Sequence, residues 1–156
     1  MIKFAKTSIE VKKTLMQGVC YGVYEGENRL YAVLAEGGCA TFIVISLEKG
    51  EIIFKEDAIG GTGSWGVAIA SDEKVYFGTY INAGFYRFDP KTNSLETLFE
   101  NLPNAKFIFS IDTDDNNNVY GGTWPNCAVF KYNGNTNELD FYDENIVETE
   151  NYVRMV

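Results

Sequence analysis

Apolar residues along the chain fall in short runs rich in β-branched and aromatic side chains, each closed by a polar or glycine-containing turn. No long stretch shows the spacing of about 3.6 residues that an amphipathic helix requires. The runs predict strands at 17–24, 29–34, 40–47 and 52–55, then at 65–70, 75–80, 85–88 and 95–99, then at 107–113, 119–124, 128–132 and 139–142. Between them, Glu25-Gly26-Glu27-Asn28, Glu48-Lys49-Gly50-Glu51, Ser71-Asp72-Glu73 and Asp89-Pro90-Lys91-Thr92-Asn93 have the residue types that reverse a chain tightly.

These elements repeat. VYFGTYINAGFYRFDPKTNSL at 75–95 returns at 119–139 as VYGGTWPNCAVFKYNGNTNEL, with Val75/Val119, Tyr76/Tyr120, Gly78/Gly122, Thr79/Thr123, Asn82/Asn126 and Leu95/Leu139 at one offset of 44. Leu30-Tyr31 precedes Val75-Tyr76 by 45 residues, which adds an earlier unit. Four short strands in about 45 residues make a β-propeller blade, a unit that cannot bury its faces without neighbours. Small residues such as Gly66, Ala68 and Ser110 suit the first, innermost strand, and aromatics on outer strands fill the wedge between blades.

The expected fold is therefore all-β, with three complete four-stranded antiparallel blades at 17–58, 59–100 and 101–145. Residues 1–16 read as strand material of a partial blade, because Lys6-Thr7-Ser8-Ile9-Glu10-Val11 resembles the segment from Lys91 to Leu98. Residues 146–156 read as a linker and the first strand of a further blade, at 152–156. A closed ring takes at least about four blades, so the expectation is part of a ring of about six to eight, or a half that pairs with another copy.

Charge and composition remove several function classes. A net charge of −9 argues against nucleic acid, whose affinity depends on Lys and Arg neutralising phosphates. No run of about 18 apolar residues predicts a membrane span, and 1–15 lack a signal-peptide core, so a cytoplasmic location is expected. Cys20, Cys39 and Cys127 are odd in number with no CxxC spacing, which predicts reduced thiols. The absence of histidine removes Ser–His and Cys–His pairs and His-ligated zinc from this chain.

Gly78-Thr79 followed by Phe88-Asp89-Pro90 resembles the recurring phrase of a large bacterial propeller group. That group contains streptogramin lyases, periplasmic sensor-kinase propellers, and the propeller modules of polysaccharide lyases and glycan-binding proteins. The resemblance covers most of 17–156, but Tyr132-Asn133-Gly134 departs from the Asp-Pro form and the first unit lacks Gly-Thr. It implies the fold. It carries over no catalytic residue, since the lyases use a histidine base with a divalent metal and no histidine is present.

Loops joining second to third strands, and fourth strands to the next unit, open on one rim. There the sequence gathers Trp65, Tyr80 and Trp124 with Asn82, Asn126, Lys106 and Arg154. Flat aromatics beside amides and cations suit a sugar or another small polar ligand, whose ring stacks while its hydroxyls are hydrogen-bonded. The structural alternative is that Tyr80 and Trp124 pack blade on blade, Asn82 and Asn126 bond their own turns, and Lys106 and Arg154 form salt bridges.

Asp112, Asp114 and Asn116 alternate oxygen ligands as a calcium loop does, but Asn117 replaces the usual glycine and Thr123 the closing acid, so no metal or other cofactor is expected. The leading expectation is a non-enzymatic module that binds a carbohydrate, another polar ligand or a protein loop. A lyase using Tyr80 as base beside Lys106 or Arg154 is the rival, and a purely structural protein-interaction ring the third reading.

Overall fold

A computed structural model of the chain describes residues 14–142, 146 and 149–154. The described strands form three antiparallel four-stranded sheets, each in chain order. Sheet one holds β1 (Leu15–Tyr24), β2 (Glu27–Glu36), β3 (Cys39–Ser46) and β4 (Glu51–Ala58). Sheet two holds β5 (Val67–Ile69), β6 (Val75–Gly78), β7 (Phe85–Asp89) and β8 (Ser94–Phe99). Sheet three holds β9 (Phe107–Thr113), β10 (Asn118–Trp124), β11 (Val129–Asn133) and β12 (Glu138–Tyr142). No helix occurs among the described residues.

All twelve strands lie where the apolar runs predict them, and the differences have local causes. β5 spans only Val67–Ile69 rather than 65–70, although the Gly78 amide still donates to the Gly66 carbonyl at 3.3 Å. The sheet is narrow here because a Cβ on Gly66 would come within 2.8 Å of the Ile111 backbone nitrogen, so the neighbouring inner strand passes too close for a side chain. Of the strand predicted at 152–156, residues 155–156 lie outside the described residues, and 151–154 carry two backbone bonds to the third unit without a regular ladder. The partial blade predicted at 1–16 lies outside the described residues up to position 13.

The core lies between sheets. Alternation puts Val33, Phe42 and Val44 on the face of sheet one that meets Val75, Phe77, Tyr86 and Phe88 of sheet two. Phe42 stacks on Phe77 at 5.1 Å between ring centroids, and Phe54 tilts against Phe88 at 4.8 Å. The other face of sheet two packs on sheet three, with Phe85 edge-on to Phe130 at 5.2 Å and Tyr76 against Tyr132 at 6.0 Å. Each fully buried aromatic contributes about 1.5–3 kcal/mol of transfer free energy, so these two seams hold the units together. The wedge is thus filled by second and third strands as much as by outer ones.

Polar contacts reinforce the second seam. Asn117, held in the left-handed region at φ 62°, accepts the Ser71 hydroxyl at 2.7 Å and the Asp72 amide at 2.8 Å across the sheet boundary. Arg87 reaches over to the Asn137 side-chain oxygen at 2.9 Å while pairing with Glu96 at 2.7 Å. One apolar face has no partner among the described residues: Val19, Tyr21, Val23 and Ile52 of sheet one are exposed on the side away from sheet two. It corresponds in register to the face through which sheets two and three each pack on the preceding sheet.

Candidate functional site: an aromatic rim with two unpaired cations

The repeated Gly-Thr phrase ends the second strand of units two and three and positions the rim loops. Thr79, fully buried, donates its hydroxyl to Asn82 Oδ1 at 2.7 Å and accepts the Gly84 amide at 3.0 Å. Thr123 donates to Asn126 Oδ1 at 2.9 Å and to the Ala128 carbonyl at 3.0 Å. Asn82 spends its amide nitrogen on the Glu100 carbonyl at 3.0 Å. Both asparagines therefore brace their own loops, as the structural alternative expects, and the loops they brace carry Tyr80 and Trp124.

The other predicted aromatics are brought together. Trp65 leans on Tyr80 at 4.4 Å, stacks on Phe109 at 4.8 Å with planes 8° apart, and meets Phe107 edge-on at 5.6 Å. Trp124 stacks on Phe107 at 4.8 Å, so Phe107 is the link that joins the two tryptophans into one cluster. Phe109 continues the row to Tyr152 at 5.7 Å. Lys106 Nζ lies 6.0 Å from the centre of the Trp124 ring, and the Arg154 guanidinium lies 4.8 Å from that of Tyr152. Such cation–π contacts keep the charge in place without neutralising it.

Trp65, Phe109 and Arg154 line a cavity of about 350 Å³. They occupy one position of the repeat: Phe109 in β9 follows Trp65, two residues before β5, by 44 residues, and Arg154, in the segment after blade three, follows Phe109 by 45. The residues just before the last two make the same bond, Ile108 N to the Thr79 carbonyl and Val153 N to the Thr123 carbonyl, both at 3.2 Å. Extending the 44-residue offset upstream of Val75 to pair Trp65 with Phe109 is the sequence signal that would have found Phe109. Phe107 and Tyr152 are themselves 45 residues apart, the offset that relates Phe109 to Arg154, so the same extension pairs them too.

Tyr80 is poorly placed to act as a base. Burial pushes its hydroxyl above the ordinary tyrosine range, and the ring packs over Gly63, which has no side chain to obstruct it. No cation acts on it to lower its proton affinity, which is what a tyrosine base requires.

The Asp112, Asp114 and Asn116 turn is filled by its own donors. Asp114 accepts the amides of Asn116 and Asn118 at 2.9 Å, the Asn118 side chain at 2.8 Å and the Tyr120 hydroxyl at 3.1 Å. The bonds from Asn118, side chain first, hold its carboxyl down at about 2. Asp112 accepts the Thr113 amide at 2.8 Å. These carboxylates shape the β9–β10 turn. Among the described residues no cluster of three or more Cys, Asp or Glu is disposed to hold a metal ion.

A larger cavity, about 400 Å³, opens beside Asp112, Tyr120, Val129, Lys131 and Tyr142. Tyr120 repeats Tyr76, whose ring packs on the next sheet at Tyr132, so this cavity occupies the face on which a following sheet would pack. The thiols are spectators: all three cysteines are free, and burial drives Cys20 up to about 12.

No protein-family model and no curated protein matches this chain. Solved structures do. The WD40 repeats of RRP9 match with a TM-score of 0.62 at 13% identity, over 83% of this chain and 39% of that one. A chain of the nidogen/laminin complex matches with a TM-score of 0.61 at 13% identity, over 85% of this chain and 49% of that one. A protein of unknown function from Bacteroides caccae matches with a TM-score of 0.57 at 12% identity, over 88% of this chain and 49% of its own.

The fold is that of the β-propeller, and each sheet is one blade. This chain spans between about two fifths and half of the length of these neighbours. They share the propeller architecture with it and do not single out the streptogramin-lyase group.

Proposed function

We propose that this chain is a non-enzymatic propeller module that binds a polar, ring-containing ligand, a carbohydrate in the leading case, at the rim formed by Trp65, Phe109, Trp124, Lys106 and Arg154. The observation that carries this reading is the cavity of about 350 Å³ lined by Trp65, Phe109 and Arg154, which share one position of the repeat. Its volume falls in the lower range of small-ligand pockets, and its lining combines aromatic surface with a hydrogen-bonding cation. The first strands of propeller blades line the central channel, so a site built at this repeat position would sit near the axis.

Among the described residues the apolar face of sheet one and the Tyr120 face of sheet three have no neighbouring sheet, and a larger ring would bury both. The rival lyase reading asks Tyr80 to act as the base, and burial raises its hydroxyl above the ordinary tyrosine range, which disfavours that role.

Calorimetric titration with neutral and acidic oligosaccharides tests the proposal. Binding by the wild-type chain that Trp65→Ala weakens about tenfold or more, while Trp65→Ala still melts cooperatively and the surface control Gln17→Ala binds as the wild type does, supports it. Absence of binding to every oligosaccharide, together with capture of a protein loop that Trp124→Ala weakens, would favour the structural ring.

A further inference from the structure

The rim cations depart from the way this chain treats its other charges. It has 22 Asp and Glu against 13 Lys and Arg, so carboxylates are in excess. The ion pairs among the described residues are Arg29–Glu27, Lys49–Glu27, Lys74–Asp72 and Arg87–Glu96. They involve the β1–β2, β3–β4 and β5–β6 turns and the outer strands of blade two, away from the rim. Lys106 and Arg154 are both exposed on the rim, and among the described residues neither is ion-paired. Glu150, only four residues before Arg154, is exposed and makes no pair with it.

Both cations rest on aromatic rings, Lys106 on Trp124 and Arg154 on Tyr152. That support fixes their position while leaving their hydrogen-bond donors open. Arg154 lines the cavity itself, with the Trp65 and Phe109 rings as its other walls. A planar guanidinium pairs with a carboxylate through two parallel bonds, which a neutral hydroxyl cannot do.

We infer that the rim site selects a carboxylate-bearing sugar, its acid group paired with Arg154 and its ring set against the Trp65 and Phe109 walls, with Lys106 adding to the positive field. This rests on the ligand-binding reading proposed above and gives that site its charge preference. The net charge of −9 repels an anion at long range, so the preference rests on the direct pair with Arg154.

The test uses a matched pair of probes, a trisaccharide of β-1,4-linked glucose and the same trisaccharide oxidised at C6 to the uronate, titrated at low and high salt. The uronate is expected to bind at least about tenfold more tightly at low salt, a difference of about 1.4 kcal/mol, and to lose much of that margin at high salt. Arg154→Gln should bring it to the level of the neutral probe, and Arg154→Lys, which keeps the charge without the fork, should fall between. The Arg154 side chain is exposed in the fold, so a thermal melt of each variant should match the wild type.

Equal affinity for the two probes would overturn the charge preference and leave the ligand-binding reading standing. No binding of either would remove both. A polyglutamate peptide that competes as well as the uronate would show an unspecific cationic field and also overturn the inference.

Discussion

Val153 donates its backbone N–H to the Thr123 carbonyl at 3.2 Å, reproducing the bond from Ile108 to Thr79 one blade earlier. The segment from Asn151 to Arg154 therefore docks on blade three as the start of β9 docks on blade two. Close approach is permitted by the glycine of the repeat: a Cβ on Gly122 would lie 2.6 Å from the Val153 Cβ. This places Arg154 in register with Phe109 and Trp65 and so builds the rim cavity.

Gly122→Ala should push this segment off blade three. The expected cost is about 1–3 kcal/mol, as for other overpacked contacts. Hydrogen exchange at the Val153 amide should accelerate more than exchange in the β10–β11 ladder. Unchanged exchange at Val153 would mean that the contact does not hold the segment.

Asn117 ties blade two to blade three through Ser71 and Asp72. Asn117→Gly keeps the left-handed backbone accessible while deleting both bonds to blade two and the bond from Asn117 Nδ2 to Asn135, and a loss of about 1–2 kcal/mol in urea denaturation is expected. Asn117→Ala should lose about 1 kcal/mol more because a Cβ without a local hydrogen bond disfavours φ 62°. Equal stability of the two variants would discount the backbone contribution.

Phe88 is fully buried against Tyr31, Phe42 and Phe54 on the seam between blades one and two. Phe88→Ala should cost about 3–5 kcal/mol, the range for emptied aromatic core positions. If blades one and two unfold as a unit, fluorescence and circular dichroism will shift together. Separate transitions would show that the seam does not couple the blades.

Asp114 supplies an acid-sensitive element. Its carboxyl sits at about 2 rather than 3.8, chiefly because the Asn118 side chain and then the Asn118 amide bond its ionised form. A depressed folded value means the stabilisation is complete above the unfolded value and is lost as pH falls through the folded one. The β9–β10 turn should thus loosen as pH drops from about 4 towards 2. Carboxyl chemical shifts of Asp114 followed by NMR report this directly, and a midpoint near 3.8 would remove the proposed bonds.

Much of this architecture was legible because its determinants are local. Turn residues such as Asp89-Pro90 and short β-branched and aromatic runs such as Val75-Tyr76-Phe77 decide strand and hairpin over a few residues, and the 44-residue offset exposes the blade. The rim was legible only in part. Trp65, Tyr80, Trp124, Lys106 and Arg154 were identified from loop position, and the first four share one cluster with Phe107, while Arg154 joins it through Tyr152 and Phe109. Asn82 and Asn126 look like ligand contacts in the sequence, and only their bonds to Thr79 and Thr123 show that they hold the loops.

The amino-acid sequence by itself determined that this protein is all-β, that its strands come in fours and that its units repeat. Strand period and turn chemistry act between neighbours in the chain, so they are written in it. Only the tertiary structure decided that Phe109 lies flat on Trp65, that Phe107 bridges the two tryptophans, and that Arg154 completes the cavity. Those contacts depend on the angle and stagger between separate sheets, which the packing of Phe42 on Phe77 and Phe85 on Phe130 sets and no local run of residues encodes.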